Sequence, residues 1–231
     1  SDLAPVQGIS GDVWVIDPID GTANFVRGIP QWCVIIACMR DGKTHIAALH
    51  EPASGETFWA RRGGGAFCND RPIHVTSAVS IGEGSIGVGF NNRTHALNIV
   101  PVCERIVREG SMFFRNQSGG LMLAYVAAGR LLAYCEEHMN GWDCLAGLLL
   151  VEEAGGVTEP FNRGDPIANG AVVIAGGPDV FDSVREICAG PFDLLALYDE
   201  VRTAHDGEAV RSDRSPDARH HEVDARDTKL G

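Results

Sequence analysis

The chain has 231 residues, 45% of them apolar and 22% charged, and a formal charge of −12 at pH 7. That is the composition of a globular protein able to bury a sizeable core in one or two domains. The acidic balance argues against nucleic acid or an anionic membrane as partner, since both want a basic patch, and no apolar run approaches the roughly 20 residues of a membrane span.

Residues 1–12 are polar and turn-rich. Val13 to Ile16 is an apolar, β-branched run and predicts a strand over 13–17. Gly28 to Pro30 make a turn, and Trp32 to Met39 reads as a second strand. Arg40-Asp41-Gly42-Lys43 predicts a hairpin by its Asp-Gly, returning through His45 to Leu49. Thr57–Ala60, Ala66–Cys68 and Ile73–Val75 continue the pattern, so 1–76 is expected to hold an antiparallel meander. Small polar residues at 77–83 mark a boundary. Beyond it, predicted strands (Ser85–Phe90, Met112–Phe114, Leu131–Cys135, Val157-Thr158, Val172–Ala175) alternate with helices (Leu97–Arg108, Gly119–Ala128, Trp142–Glu153, Pro178–Ile187). Alternation argues an α/β part over 77–190. Pro191 to Val201 offers one more helical piece. From Arg202 onward too little is apolar to offset ordering entropy, and 191–231 is expected to be an acidic, disordered tail. His205, His220 and His221 fall there and read as solvated rather than metal-binding.

The seven cysteines include no C-x-x-C pair, and Cys33, Cys38 and Cys144 lie in apolar runs. They are expected to be buried free thiols in a reducing compartment, hence a cytoplasmic protein.

The chemistry concentrates where the first strand stops, at Asp17-Pro18-Ile19-Asp20-Gly21-Thr22. Pro18 fixes one φ and Gly21 frees another, so the turn is tight. Two carboxylates held that close repel unless a proton or cation lies between them. A hard divalent ion suits them, with the Ile19 carbonyl and Thr22 hydroxyl as further oxygen donors. The plainer reading is an Asx-turn with both aspartates solvated. Asp143 opens a helix, and on local grounds reads as an N-cap. Gln117-Ser118-Gly119-Gly120 starts another helix, with Ser118 as N-cap and amides facing an anion or hydroxyl.

The D-P-I-D-G-T stretch followed by Asn24-Phe25 resembles the first metal-binding signature of the inositol monophosphatase family of Mg²⁺-dependent phosphatases. Trp142-Asp143 opening a helix that ends Glu153-Ala154-Gly155-Gly156 resembles the second. The resemblance runs from about Trp14 to about Cys188. It implies a layered α-β-α-β-α fold, of α/β (α+β) class, with the first helical layer incomplete here. It implies two or three Mg²⁺ ions held by Asp17, the Ile19 carbonyl, Asp20 and Asp143. Asp17, Asp20, Thr22 and Asp143 would form the catalytic set, with Thr22 orienting the attacking water. Gly21, Thr22, Ser118, Glu136 and Asp143 would contact substrate. The local sequence does not choose between Glu136 and Glu137, and the register of the resemblance favours Glu136.

The family's acidic G-E-E segment, with a further glutamate ligand and an aspartate that assists Thr22, is not in this sequence, and we expect a truncated chain. Gln117 stands where the family usually has glycine, Gly119 and Gly120 where it has alanines, and Ala23 where branches have threonine or lysine. The implied activity is hydrolysis of a small polyol or sugar phosphate, inositol monophosphate first, by metal-activated water. The alternatives are a histidinol-phosphate or fructose-1,6-bisphosphate phosphatase of the same superfamily, an inactive remnant, or a binding module using the tail. Expected partners are a small phosphorylated metabolite and a second copy of the chain in a homodimer, with no nucleic acid and no membrane.

Overall fold

The computed structural model describes residues 6–7, 11–91, 94–161 and 170–192. The expected tail from 193, with its three histidines, lies outside the described residues. In chain order the first part comprises β1 (Val6–Gln7), β2 (Val13–Asp20), α1 (Thr22–Val26), β3 (Cys33–Arg40), β4 (Lys43–Glu51), β5 (Glu56–Arg61), β6 (Ala66–Cys68) and β7 (Arg71–Pro72). These seven strands form one antiparallel sheet in sequence order. The expected strand at 73–75 is instead a segment leaving the sheet, because the Val75 N–H donates to the Ala154 carbonyl across the core. The helix α1, five residues long, is too short to show a period and went unpredicted.

The second part comprises β8 (Ser85–Gly89), α2 (Ile99–Arg108), β9 (Met112–Phe114), α3 (Gly119–Ala127), β10 (Ala133–Met139), α4 (Gly141–Glu153), β11 (Val157–Thr158), β12 (Ala171–Gly176) and α5 (Pro178–Cys188). Its five strands are ordered β11-β12-β10-β8-β9. The β9, β8 and β10 strands run parallel, and β12 is antiparallel to both β10 and β11.

Packing follows from which helices are apolar all round. In α4, Cys144 through Val151 are all buried, and α3 buries Gly120 through Ala124 with Val126 and Ala127. A helix with no polar face must be covered on both sides. These two lie side by side between the sheets, so that Ile35, Leu49 and Phe58 from one sheet and Tyr134 and Val173 from the other share one core with Leu121 and Leu149. The amphipathic α2 and α5 cover the far face of the five-stranded sheet. The described layers are therefore sheet, helices, sheet, helices. On the outer face of the seven-stranded sheet Trp14, Ile16, Ile46 and Trp59 are 40–47% exposed, and no helical layer covers them among the described residues. No described helix is long and apolar enough to cross a membrane. All seven cysteines are free, five of them buried.

Candidate metal centre and cleft

Along a flat strand, residues three apart face opposite sides. Asp17 and Asp20 do not, because β2 does not stop at Asp17 as expected. It runs on to Asp20 through a bulge, with Asp17 paired to Ile35 and Asp20 to Cys33, so three steps on one strand meet two on the other. Pro18, which lacks a ladder N–H, sits in the bulge. The extra residue turns both carboxylates to one side. Asp17 does make the Asx-turn, accepting the Ile19 N–H at 3.0 Å, but it is half-buried rather than solvated, and Asp20 is 9% exposed.

Asp143 arrives from the first turn of α4. It is the third helical residue, not the N-cap. Asn140 caps the helix, and the Asp143 carboxylate accepts from the Asn140 amide nitrogens at 3.0 and 3.4 Å. One oxygen each of Asp17, Asp20 and Asp143 lies within 4.8 Å of the others. Burial, with the Asp143 charge, holds Asp17 up at about 6. Burial, with the charges of Asp143 and Asp17, holds Asp20 up at about 7 even though Ser118 and Gly120 donate to it. Three clustered carboxylates, all oxygen donors within reach of one ion, fit a hard divalent cation.

Ser118 and Gly120 belong to the start of α3. The Ser118 hydroxyl donates to Asp20 Oδ2 at 2.6 Å and the Gly120 N–H to the same oxygen at 2.9 Å. Ser118 is fully buried and also receives the Leu121 N–H at 3.4 Å, the N-cap bond expected of it. Its hydroxyl lies beneath a carboxylate, where it positions Asp20. The two glycines that replace alanines also have a steric reason. A Cβ on Gly119 would come 2.5 Å from Met139 Cε, and one on Gly120 would strike Ile35 Cδ1. Gln117 takes φ +66, the left-handed conformation that explains glycine at this position in the resembled family.

The Thr22 hydroxyl donates to the Ile19 carbonyl at 2.9 Å, so these two expected ligands are tied to each other. Gly21 is buried at the start of α1, directly after Asp20. Asn24 is structural. Its amide donates to Gln31 O at 2.7 Å and to Asn116 O at 2.5 Å, joining the turn to the loop before α3.

Glu136 was expected just past a strand ending at Cys135. It lies within β10, which continues to Met139 through a second bulge, with Glu136 opposite Val173 and Met139 opposite Ala171. Again three steps meet two, and Glu136 and Met139 both line the cleft. The Glu136 carboxylate accepts from the Tyr134 hydroxyl and from Asn91 Nδ2 at 3.0 Å. Burial lifts it to about 7 against those bonds. Glu137 accepts instead from Asn98 at 2.8 Å and does not line the cleft. The cavity is about 170 Å³, and Asp20, Asp143, Phe90, Asn91, Arg115 and Gln117 are among the residues lining it. Sequence reasoning missed Asn91, Tyr134, Asn140 and Arg115. Only Asn140 carried a local signal, the Asn-x-x-Asp spacing before an apolar helix.

The model of the inositol monophosphatase family matches residues 4–191. A protein named inositol-1-monophosphatase from Mesorhizobium japonicum is 39% identical over 165 residues, 71% of this chain and 62% of that protein. The chain thus spans less than two thirds of that relative's length. Nus factor SuhB from Escherichia coli strain K12 is 37% identical over 195 residues, 83% of this chain and 72% of the relative. The crystal structure of extragenic suppressor protein suhB from Bartonella henselae superposes with a TM-score of 0.76 at 31% identity, over 82% of this chain and 74% of that one.

Proposed function

The chain belongs to the inositol monophosphatase family, and from that premise we propose that it serves as a Mg²⁺-dependent phosphomonoesterase for a small polyol or sugar phosphate, inositol monophosphate first. The observation that carries this reading is the convergence of Asp17, Asp20 and Asp143 within 4.8 Å. Those residues, with the Ile19 carbonyl, would hold the metal. Bound there, a divalent ion supplies charge neutralisation and a water of lowered pKa.

The rest is work for the chain's own groups. Ser118 and Gly120 fix one oxygen of Asp20 and so set the direction of the other. Asn140 does the same for Asp143. Gly21 and Thr22 follow Asp20 directly in the chain and are the groups we assign to the phosphate, with Thr22 also orienting the attacking water. Glu136, held by Tyr134 and Asn91, would accept hydrogen bonds from substrate hydroxyls and fix the leaving group's orientation.

A panel of inositol 1-phosphate, histidinol phosphate and fructose 1,6-bisphosphate, assayed for phosphate release with and without Mg²⁺, tests the reading. Release that needs Mg²⁺ supports it, and metal-independent turnover overturns it. A second reading takes its support from relatives named Nus factor SuhB: the chain would act through a partner and not through hydrolysis. A biological role retained in full by Asp20→Asn would favour it.

A further inference from the structure

The cleft lining carries both signs of charge. Asp20, Asp143 and Glu136 make most of it acidic, and Arg115 is the one cationic side chain lining it among the described residues. Arg115 follows β9 directly. Its guanidinium carbon lies 4.2 Å from the centroid of the Phe90 ring, and its Nη2 donates to the Phe90 carbonyl at 3.1 Å. Stacking and that one bond fix the plane of the fork at the rim. A guanidinium carries five N–H donors, so most of the fork stays available to a ligand. Its charge reaches the cleft floor, where it works against burial at Glu136. Gln117 lines the same rim, and it holds a left-handed backbone that a side chain makes costly. Strain retained beside a cleft points to use of the side chain.

We propose that Arg115, with Gln117 beside it, binds an anionic group of the substrate other than the scissile phosphate. Beside a polyol monophosphate, the cleft then accepts and favours a small phosphate monoester that also carries a carboxylate or a further phosphate. A neutral polyol offers the fork only hydroxyls, whereas a planar oxyanion matches its paired donors. In a cleft otherwise lined by carboxylates, this cation decides whether a second negative charge is accepted or repelled. The proposal rests on the phosphatase reading.

Two substrate pairs test it. Glycerol 2-phosphate and 2-phosphoglycerate differ by a carboxylate, and fructose 6-phosphate and fructose 1,6-bisphosphate by a phosphate. With Mg²⁺, kcat/KM of the wild-type chain is expected to be about tenfold higher for the more anionic member of at least one pair, the size of a hydrogen bond to a charged group. Arg115→Gln should bring that ratio to about one while glycerol 2-phosphate turnover stays within about threefold, and Arg115→Lys should keep part of the ratio. The pair that responds identifies the second anion. A wild-type ratio near one, or a ratio unchanged in Arg115→Gln, overturns the proposal and leaves the phosphatase reading standing. Absence of phosphate release from all four compounds and from inositol 1-phosphate tells against the phosphatase reading. Calorimetric binding of the same pairs with Ca²⁺ then decides on Arg115 by itself: tenfold tighter binding of the more anionic member, lost in Arg115→Gln, supports it, and equal binding sinks it.

Discussion

The seven-stranded sheet buries a carboxylate at each end of α3, and the two are treated in opposite ways. Glu51, 4% exposed, lies near the helix C-terminus. It accepts the Tyr125 hydroxyl at 3.0 and 3.1 Å and the Ser54 hydroxyl at 2.9 Å. Next to it Arg130 pairs with Glu56 and lies over the rings of Phe58 and Tyr125. The helix end is closed by Gly129 and Arg130, whose N–H groups donate to Val126 O and Tyr125 O in a Schellman arrangement. Asp20, at the N-terminus, also has two donors, yet it faces two more carboxylates. A buried carboxylate balanced by donors beside a cation reads as scaffold, and one left facing further carboxylates as a site.

The largest expected effect is at the unbalanced end. Asp20→Asn should lower Mg²⁺-dependent kcat by about 10³-fold, several kcal/mol of lost charge stabilisation. Without metal the variant should unfold at pH 8 no earlier than the wild type, since a repelling charge has gone. Activity within tenfold of wild type would erase the contrast between the two ends.

The next effect concerns pH. Asp17, Asp20 and Glu136 are raised to about 6, about 7 and about 7. Folding therefore favours their protonated forms. This contribution is complete below the unfolded carboxylate range and lost as pH rises through 6 and 7. A divalent ion needs the deprotonated forms, so at pH 8 Mg²⁺ at one hundred times Kd should stabilise the fold by about 2.7 kcal/mol, and at pH 5 by less, with the larger rise in Tm at pH 8. Thermal scans in Mg²⁺ and in EDTA read this directly, and equal Mg²⁺ shifts at both pH values would contradict it.

At the balanced end, Tyr125→Phe leaves Glu51 short of a donor and should cost about 1.5–3 kcal/mol in urea unfolding, with kcat unchanged. A loss of activity equal to that of Asp20→Asn would show that the two ends are not separate in kind. The smallest effect is at the loop before α3. Gln117→Gly should add about 1 kcal/mol of stability by relieving the left-handed backbone. No gain in the same urea titration would mean that the side chain offsets the strain through contacts of its own.

Long apolar elements were legible in the sequence. The run of α3 is recovered to within one residue, because burial on all sides leaves nothing to interrupt it. Asp17, Asp20 and Asp143 were legible through two signatures, and the structure brings them together. What was not legible turns on single extra residues. Both bulges, at 17–20 and 136–139, reverse which side a residue faces, and a two-residue period cannot register them. The polar run Glu136-Glu137-His138 looked like the end of a strand. Its backbone keeps pairing with β12 because Glu136 has a cleft to face. Arg115 and Asn91 meet only through the parallel pairing of β8, β9 and β10, which no local pattern encodes.

The glycines of the cleft floor have a consequence for how such a site changes over generations. Any Cβ at Gly89 would strike the Glu136 carboxylate, and one at Gly119 would meet the Met139 methyl. A single substitution at either position must push aside a side-chain end that itself lines the cleft, so a change in the floor's glycines also moves Glu136 or Met139. Gln117 at the rim carries a backbone condition instead, its left-handed φ, which glycine relieves. New substrates should enter this lineage by rim replacements over a floor inherited intact.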